Sequence, residues 1–336
     1  MCQSSFLIHW LSGGLLVAFV TGWSAPSNLY RKQWQWKTRF RAIQNSALEP
    51  YYTFHGNVDI LDRDEHYVVV SKPHSVVCHH SDWTGSKKRK DDVPEIPMLQ
   101  RTRQAIGERI NLVHRLDRGA SGCLLFALVK SDKRGLDATK TLQLAMQNAT
   151  KTYIALVRGE GILHGRDLKK EGWFEVTRPI KDEKGVLHNA TTLFRFIAGQ
   201  DNASGSLDRP RASLVLARPK TGRWHQIRRH LNGLSHPILG DSSHGNSKLN
   251  REWRELRELP PERTCLHLLQ LEIPPMGEIC PNGIRVVCPL APDMMKLLED
   301  HLPSVLEEAL PILKDECLTL IPEVDTSTTI PVHISC

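Results

Sequence analysis

The feature that most constrains the fold is a series of short apolar runs that begins at Val58 and is interrupted by turn residues. β-Branched and aromatic residues are frequent in these runs, which is typical of strands rather than helices. The runs that we predict as strands read VDIL, YVVVSK, CLLFALV, KTYIALVRG, TTLFRFIA, ASLVLARP, LHLLQLEI and IRVVCPL. They do not alternate regularly with helical segments, and no internal repeat is visible. The sequence therefore predicts an α+β protein with a mixed, largely antiparallel β-sheet and flanking helices.

Three segments carry helical signals. A helix is predicted from Ser131, a suitable N-cap, because apolar residues follow it at helical spacing. The segment WHQIRRHLNG predicts a short helix closed by Gly233, and PDMMKLLEDHL predicts a final amphipathic helix. Residues 304–336 carry few strong signals and several acids, so we predict an acidic C-terminal tail there. This leaves residues 58–303 as the main domain.

Residues 1–57 have the composition of a targeting leader. Residues 6–20 are uncharged and mostly apolar, as in a secretory signal cleaved after Gly22, although no Lys or Arg precedes them. Residues 23–57 carry five basic residues and one acid, as organellar transit peptides do. This tandem order resembles the bipartite leaders of plastid proteins in algae with complex plastids. The alternatives are a mitochondrial and a plain secretory route.

Charge is distributed unevenly along the chain. The formal net charge is +7, with +4 in residues 1–57 and −6 in residues 296–336, which leaves +9 for the middle. A basic central body suits a polyanionic partner such as nucleic acid, through Coulomb attraction and counterion release. With 40% hydrophobic and 24% charged residues, the composition excludes disordered, collagenous and coiled-coil chains.

Cysteine and histidine patterns favour neither disulfides nor metals. The eight cysteines form no C-x-x-C pair, and several lie in apolar runs, so we expect free thiols and a reducing compartment. His225, His230, His236 and His244 are separated by turns, and structural or RNA-contacting roles are the simpler explanation. No P-loop or G-x-G-x-x-G motif follows a predicted strand. We therefore predict no cofactor and no metal.

Three polar clusters adjoin predicted strands and are the candidates for chemistry. HRLDRGASG places Asp117 between Arg115 and Arg118, whose charges would keep the carboxylate ionised for a nucleophile or base; alternatively, Asp117 only shapes a turn. KTYIALVRG places Tyr153 on a strand, where packing is the simpler explanation. In GRWHQIRRH, Arg228 lies off the packing face of a helix, where it would pair with a carboxylate or contact phosphate.

These clusters and their order resemble the RluA-type RNA pseudouridine synthases. HRLDRGASG resembles the family signature H-R-L-D-x-x-T-S-G, and SKPHSVV, KTYIALVRG and HNATTLFRF resemble its N-K-P-x-G, K-x-Y and P-A-x-T segments. GRWHQIRRH and the following HPILGD resemble G-R-x-H-Q-x-R-x-H and H-P-I-x-G-D. Without a preceding S4-like domain, the chain is most similar to the tRNA pseudouridine synthase C branch. The resemblance implies the pseudouridine synthase catalytic fold for residues 58–303.

The resemblance also implies a role for each matching residue. Asp117 would be the catalytic aspartate, attacking either C1′ or C6 of a uridine, and Tyr153 would lie against the base and help to remove its C5 proton. Arg228 would hold Asp117 in an ion pair, and Arg115 would fill the gap left by the flipped nucleotide. The residues expected to contact RNA are Arg115, Lys72, Arg223, His225 and Ile227.

The implied activity is conversion of a specific uridine to pseudouridine in structured RNA. We expect tRNA as the partner, with rRNA as the alternative, no membrane contact in the mature form, and a monomer. A different class of function is an RNA-binding or folding factor of the same fold with little turnover. The joint presence of Asp117, Tyr153 and Arg228 argues against that class. Ala120 and Ser71 depart from the family pattern, and the KKRKDD insert is expected to affect substrate choice.

Overall fold

The computed structural model describes residues 56–80, 95–129, 137–200 and 210–321. Residues 1–55 of the predicted leader, the KKRKDD insert and Ser131 lie outside the described residues. The described strands are β1 (Ile60–Arg63), β2 (Tyr67–Lys72), β3 (Ile110–Leu112), β4 (Ser121–Leu128), β5 (Thr150–Arg158), β6 (Ile162–Leu163), β7 (Arg166–Asp167), β8 (Phe174–Thr177), β9 (Ile180–Lys181), β10 (Leu187–His188), β11 (Thr191–Gln200), β12 (Ala212–Pro219), β13 (Leu266–Ile273) and β14 (Ile284–Val287). The described α-helices are α1 (Met98–Ile106), α2 (Ala138–Ala145), α3 (Gln226–Gly233), α4 (Ser247–Arg257), α5 (Pro292–His301) and α6 (Pro303–Asp315).

One large sheet organises the domain. Its strands follow the order β1-β2-β4-β13-β5-β12-β11-β8, with β3 paired to β4 and β14 paired to β13. The pairing between β4 and β13 is parallel, and the other pairings in this sheet are antiparallel. The prediction of an α+β fold with a mixed, largely antiparallel sheet is confirmed.

The central strands are buried on both faces, which explains their continuous apolar runs. All eight residues of β4 are buried, and β13 has one partly exposed residue among its eight. Helices cover these strands, with α2 against β4 and α6 against β11 and β12. Two apolar clusters fill the space between sheet and helices, and the side chain of Tyr153 contacts both of them.

The register across three strands brings the polar clusters together. Gly122 of β4 pairs with Leu268 of β13, which in turn pairs with Tyr153 of β5. Gly122 has a φ of +118°, and a Cβ there would overlap the backbone of Leu268, so the close approach of β4 and β13 requires glycine. The start of β4 and Tyr153 therefore lie two strand spacings apart, about 10 Å.

The helices agree only partly with the sequence patterns. Helix α3 ends at Gly233 as predicted, and the PDMMKLLEDHL segment is helical as α5. Helix α2 begins at Ala138, where the Asp137 side chain accepts a hydrogen bond from the Lys140 amide. Helices α1 and α4 were not predicted from the sequence.

The chain continues past α5 into another helix. Helix α6 occupies the first part of the segment that the sequence analysis assigned to an acidic tail, and it buries Val305, Ala309 and Leu313. Its acids lie between these apolar positions, so the composition is acidic while one face packs onto the sheet. Just beyond α6, Glu316 accepts hydrogen bonds from the indole of Trp173 and from two sheet arginines. Among the described helices, none has the length and apolar character needed to cross a membrane.

Candidate active site

The loop of residues 113–120, between β3 and β4, carries the first polar cluster and is supported by a buried lysine. Lys72, the last residue of β2, donates from Nζ to the carbonyl oxygens of Pro73, Arg118 and Ala120 at 2.9, 3.2 and 2.7 Å. Burial lowers the pKa of Lys72 to about 8. The side chain is fully buried and its three donors are engaged, which favours a role in supporting the loop, and a contact of Lys72 with RNA stays a prediction.

A buried arginine supports the same loop from the other end of the chain. Arg263 donates from Nη1 to the carbonyl oxygen of Gly119 at 3.2 Å and from Nη2 to Ser121 Oγ at 2.9 Å. Its Nε lies 2.8 Å from Oδ2 of Asp293, in the first turn of α5. This arrangement was not predictable from the sequence, because no local pattern connects the loop, Arg263 and Asp293, which lie in three separate segments. The loop is therefore attached to both the sheet and a C-terminal helix.

Asp117 projects from this loop toward Arg228 of helix α3. Arg228 donates from Nη1 to Asp117 Oδ2 at 2.8 Å, so the expected ion pair is present, whereas its catalytic role stays a prediction. The same guanidinium donates from Nε and Nη2 to the two carboxylate oxygens of Asp241, each at 2.7 Å. Arg228 and Asp241 are buried, while the Asp117 side chain is 34% exposed. Asp117 is thus the member of the trio that a substrate can reach.

Asp241 is a site residue that the sequence analysis did not single out. Burial acts to raise its pKa, but the hydrogen bonds and charge of Arg228, with the backbone N–H groups of His244 and Ser243, outweigh burial and lower the pKa. The two carboxylates raise the pKa of Arg228 against the opposing effect of burial. The sequence signal that could have identified Asp241 is its position at the end of HPILGD, directly after a buried apolar run.

Of the two arginines that flank Asp117 in sequence, Arg118 pairs with other carboxylates. Arg118 donates to Glu95 at 2.6 Å, and its Nε lies 3.6 Å from Glu262. Arg118 is therefore committed to other carboxylates, and the distant Arg228 takes the place predicted for it. Arg115 is exposed on the loop, two residues before Asp117.

Tyr153 lies in the middle of β5, partly buried. Burial raises the pKa of its phenol, and the negative charge of nearby Asp117 raises it further. The phenol therefore keeps its proton at neutral pH. A protonated phenol close to a carboxylate suits packing and hydrogen bonding better than proton abstraction.

His225 lies next to Asp117 and contacts a second histidine and a tryptophan. His225 Nε2 lies 3.8 Å from Asp117 Oδ2, and its Nδ1 is 3.0 Å from His244 Nε2. Burial lowers the pKa of His225 to about 4 and also lowers the pKa of His244, so both rings are neutral at pH 7. The indole of Trp224 stacks on His225 with ring centres 3.9 Å apart. Within the described ranges, no group of three His, Cys, Asp or Glu residues could hold a metal ion.

The other predicted RNA contacts divide into exposed and buried residues. Arg223 is exposed and donates from Nε to the carbonyl oxygen of Asn189. Ile227 is 6% exposed and packs in the apolar cluster that includes β5 and β12. This side chain lies on the buried face of α3, so the structure gives a packing role to Ile227, and its contact with RNA stays a prediction.

The fold is that of a pseudouridine synthase domain. Structural superposition matches 74% of this chain to 89% of human RNA Pseudouridylate Synthase Domain Containing 1, with a TM-score of 0.50 and 24% identity. Human RNA Pseudouridylate Synthase Domain Containing 4 matches 73% of this chain over 93% of its own, with a TM-score of 0.50 and 22% identity.

Sequence comparison assigns the family. The model of the RNA pseudouridylate synthase family matches residues 66–233. tRNA pseudouridine synthase C of Vibrio vulnificus is 34% identical over 221 residues, which are 64% of this chain and 84% of that protein. The enzyme of the same name from Pectobacterium carotovorum is 32% identical over 241 residues, 66% of this chain and 60% of that protein. This chain belongs to the RNA pseudouridylate synthase family and is an isomerase.

Proposed function

We propose that this protein converts a specific uridine of tRNA to pseudouridine, using Asp117 as the catalytic carboxylate and no cofactor. The observation that carries the proposal is the buried Arg228, which joins a partly exposed Asp117 to a buried Asp241. The choice of tRNA is supported by the relatives named tRNA pseudouridine synthase C.

The reaction needs only groups that can be assigned to this chain. The N1–C1′ bond of the uridine breaks and a C5–C1′ bond forms, while C5 loses a proton and N1 gains one. Substrate and product have the same composition, so no oxidant, reductant or energy source is consumed. Asp117 would form a transient bond to C1′ or to C6 through one carboxylate oxygen, and that bond breaks when the product forms.

Arg228 would keep Asp117 anionic and oriented when RNA covers the site. Removal of water weakens the solvation of a carboxylate, and a hydrogen-bonded guanidinium offsets that loss. Asp241 holds the guanidinium plane through two further hydrogen bonds. The Arg228 Nη1–H is therefore directed at Asp117 before substrate arrives, which is the preorganisation that catalysis favours.

Tyr153 would lie against the uracil ring. Its pKa is raised first by burial and then by the charge of Asp117. When Asp117 is bonded to the substrate, its negative charge is lost, so its contribution to the raised pKa disappears while that of burial remains. Tyr153 would act only at this later stage, taking up the C5 proton as its own phenol proton passes to N1.

Arg115 would support base flipping. A uridine stacked and paired inside a helix cannot present C1′ or C6 to the partly buried carboxylate of Asp117, so the nucleotide has to leave the stack. Arg115 is exposed on the loop that carries Asp117. Its planar guanidinium is suited to stack between bases in the gap that remains.

The test is conversion of uridine in tRNA transcripts by the full chain without added cofactor. We expect Asp117→Asn to lose conversion by several orders of magnitude while RNA binding is nearly unchanged. The matched control is Asp300→Asn, on the exposed surface of α5, which should convert uridine at the wild-type rate. Equal conversion by Asp117→Asn and wild type would refute the catalytic assignment.

Two other results would redirect the proposal. Conversion of rRNA transcripts with tRNA left unmodified would replace tRNA by rRNA as the substrate. Binding of RNA by the wild-type chain without any conversion would favour a binding or folding factor.

A further inference from the structure

An exposed tryptophan beside Asp117 has no role in the proposed reaction. Trp224 is 53% exposed, whereas the described Trp253 is 1% exposed and Trp173 is partly buried. A large aromatic side chain at the surface next to a site commonly marks a contact with a partner.

A basic groove lies next to this tryptophan, between helix α3 and the hairpin of β9 and β10. It encloses about 630 Å³ and is lined by nine residues, of which Arg178, Lys181 and Arg229 are cations and none is an acid. Gly233 makes room for one of these cations, because a Cβ at that position would overlap Nη1 of Arg178. Burial lowers the pKa of His230, a further lining residue, so the positive charge of the groove comes from the three cations.

We propose that Trp224 stacks on the nucleobase next to the modified uridine and that the Arg178–Lys181–Arg229 groove binds the phosphates of the adjoining RNA strand. This inference rests on the proposed function, since it assumes that a uridine of RNA reaches Asp117.

The side chain of His225 lies between the indole of Trp224 and the carboxylate of Asp117. Trp224 and His225 are stacked at 22° with centres 3.9 Å apart, and His225 Nε2 is 3.8 Å from Asp117 Oδ2. One imidazole ring therefore separates the indole from the carboxylate. A nucleotide adjacent to a flipped uridine remains within reach of such a position, because the uridine turns about its own backbone.

Arg229 connects the indole of Trp224 to the groove. The Arg229 guanidinium lies 5.0 Å from the centre of the Trp224 ring system and donates from Nη1 to the carbonyl oxygen of Lys181 at 2.7 Å. Arg229 is thus shared by the aromatic surface and the groove. The two features form one continuous surface that leads away from Asp117 over α3.

The chemistry of this surface favours a nucleic acid strand over an acidic peptide. A strand presents a flat base and an anionic phosphate in each nucleotide, which match an indole and neighbouring cations. An acidic peptide supplies carboxylates for the groove, but it offers an aromatic ring to Trp224 only where its own sequence contains one, whereas every nucleotide carries a base. The acid nearest to the groove in sequence, Asp182, is hydrogen-bonded to His188 and does not line it.

The test measures equilibrium binding of a tRNA transcript by the full chain at several salt concentrations, together with uridine conversion. Trp224→Ala is expected to weaken binding about tenfold and Trp224→Phe by less than about threefold, because a phenyl ring preserves stacking. The double variant Arg178→Gln/Lys181→Gln is expected to reduce the slope of log K against log salt by about 1 to 2. The controls are Leu256→Ala, equally exposed on α4, and Lys170→Gln, a well-exposed lysine outside the groove.

The binding and conversion results distinguish a failure of the stacking proposal from a failure of the proposed function. Wild-type binding by Trp224→Ala, or an equal loss in Trp224→Phe and Trp224→Ala, would overturn the stacking proposal. A poly-glutamate peptide is the competitor that tests for a protein partner. If it competes with RNA, and its binding depends on Trp224 as strongly as RNA binding does, the surface would be assigned to a protein partner instead. If wild type converts uridine and the variants match it, only this inference fails. If binding depends on Trp224 but no uridine is converted, the proposed function fails instead.

Discussion

Arg228 donates a hydrogen bond to Asp117 over 2.8 Å, although 111 residues separate the two in the sequence. The contact joins helix α3, which packs against β11 and β12, to the loop that precedes β4 in the same sheet. Arg228 is almost completely buried, so its guanidinium is part of the protein interior. Asp117 is partly exposed, so its carboxylate lies at a surface that a substrate can reach. This asymmetry separates Asp117, the proposed reacting group, from the groups that would orient it.

Asp241 is expected to act as a positioning residue for Arg228. Asp241→Asn keeps the shape of the side chain but removes the charge and one of the two acceptors for the guanidinium. We expect kcat for uridine conversion to fall by up to about 100-fold, as small misplacements of reacting groups do, while KM for tRNA stays near the wild-type value. Steady-state kinetics with a tRNA transcript would check this split. A change confined to KM would contradict the role.

Acid should destabilise the fold through His114. Its Nε2 accepts the Leu125 amide at 3.2 Å, and burial lowers its pKa to about 4. The unfolded chain, with an ordinary histidine pKa near 6.5, binds the proton more readily between pH 6.5 and 4, so stability falls as the pH falls through this window.

The measurement for His114 is urea unfolding at several pH values. His114→Gln keeps an oxygen acceptor for the Leu125 amide but cannot titrate, so it should lose less stability than wild type between pH 6.5 and 4. Parallel curves for the two proteins would show that another group carries the acid sensitivity.

The central strands were predictable because burial on both faces demands long apolar runs. Helices α1 and α4 were not, because their local signals are weak. Helix α1 follows Pro97 without a side-chain cap, and α4 buries only Asn250, Trp253 and Arg257. Its cap, Asn246, directly follows the glycine- and serine-containing stretch GDSSHG, where no helix was predicted. Weak patterns of this kind become helices through packing on the sheet.

The candidate site was predictable only in part, for a different reason. Family resemblance identified Asp117 and Arg228, because they belong to quoted motifs. It gave no direction for the side chains within those motifs, so Lys72 and Ile227 were assigned to RNA although both are buried. A motif residue can support a loop or fill a core, and sequence spacing does not distinguish these roles from a contact with substrate.

We propose that residues 1–57 direct the protein to a plastid. Residues 1–55 lie outside the described residues, so the proposal rests on the apolar segment followed by a basic one. A fluorescent protein fused after residue 57 should enter the plastid of an alga with a complex plastid. Replacement of the five basic residues of the leader by glutamine should stop the fusion protein earlier in the secretory route. Retention of the unmodified fusion protein in the cytosol would contradict the proposal. These residues are Arg31, Lys32, Lys37, Arg39 and Arg41.

Asp293 should stabilise the loop of residues 113–120 through Arg263. The Arg263 side chain is fully buried, so Asp293→Asn would leave it without its charge partner. Loss of one partner of a buried pair costs about 3–5 kcal/mol, and we expect the free energy of unfolding in urea to fall by that amount. Turnover should also fall, since Arg263 holds Gly119 and Ser121. Asp300→Asn on the same helix removes an exposed carboxylate and should leave both measurements unchanged; an equal effect of the two variants would contradict the role of Asp293.

Helix α6 should contribute to the stability of the whole domain. Leu313 is 1% exposed in the larger apolar cluster, whereas Leu310, on the same helix, is 42% exposed. Leu313→Ala is expected to lower the free energy of unfolding by about 2–5 kcal/mol, because it leaves a cavity beside the sheet. Leu310→Ala should change it by less than about 0.5 kcal/mol. Urea unfolding of the two variants would decide the matter: similar stabilities would mean that α6 does not pack on β11 in solution, and a large difference would assign the start of the acidic segment to the folded domain.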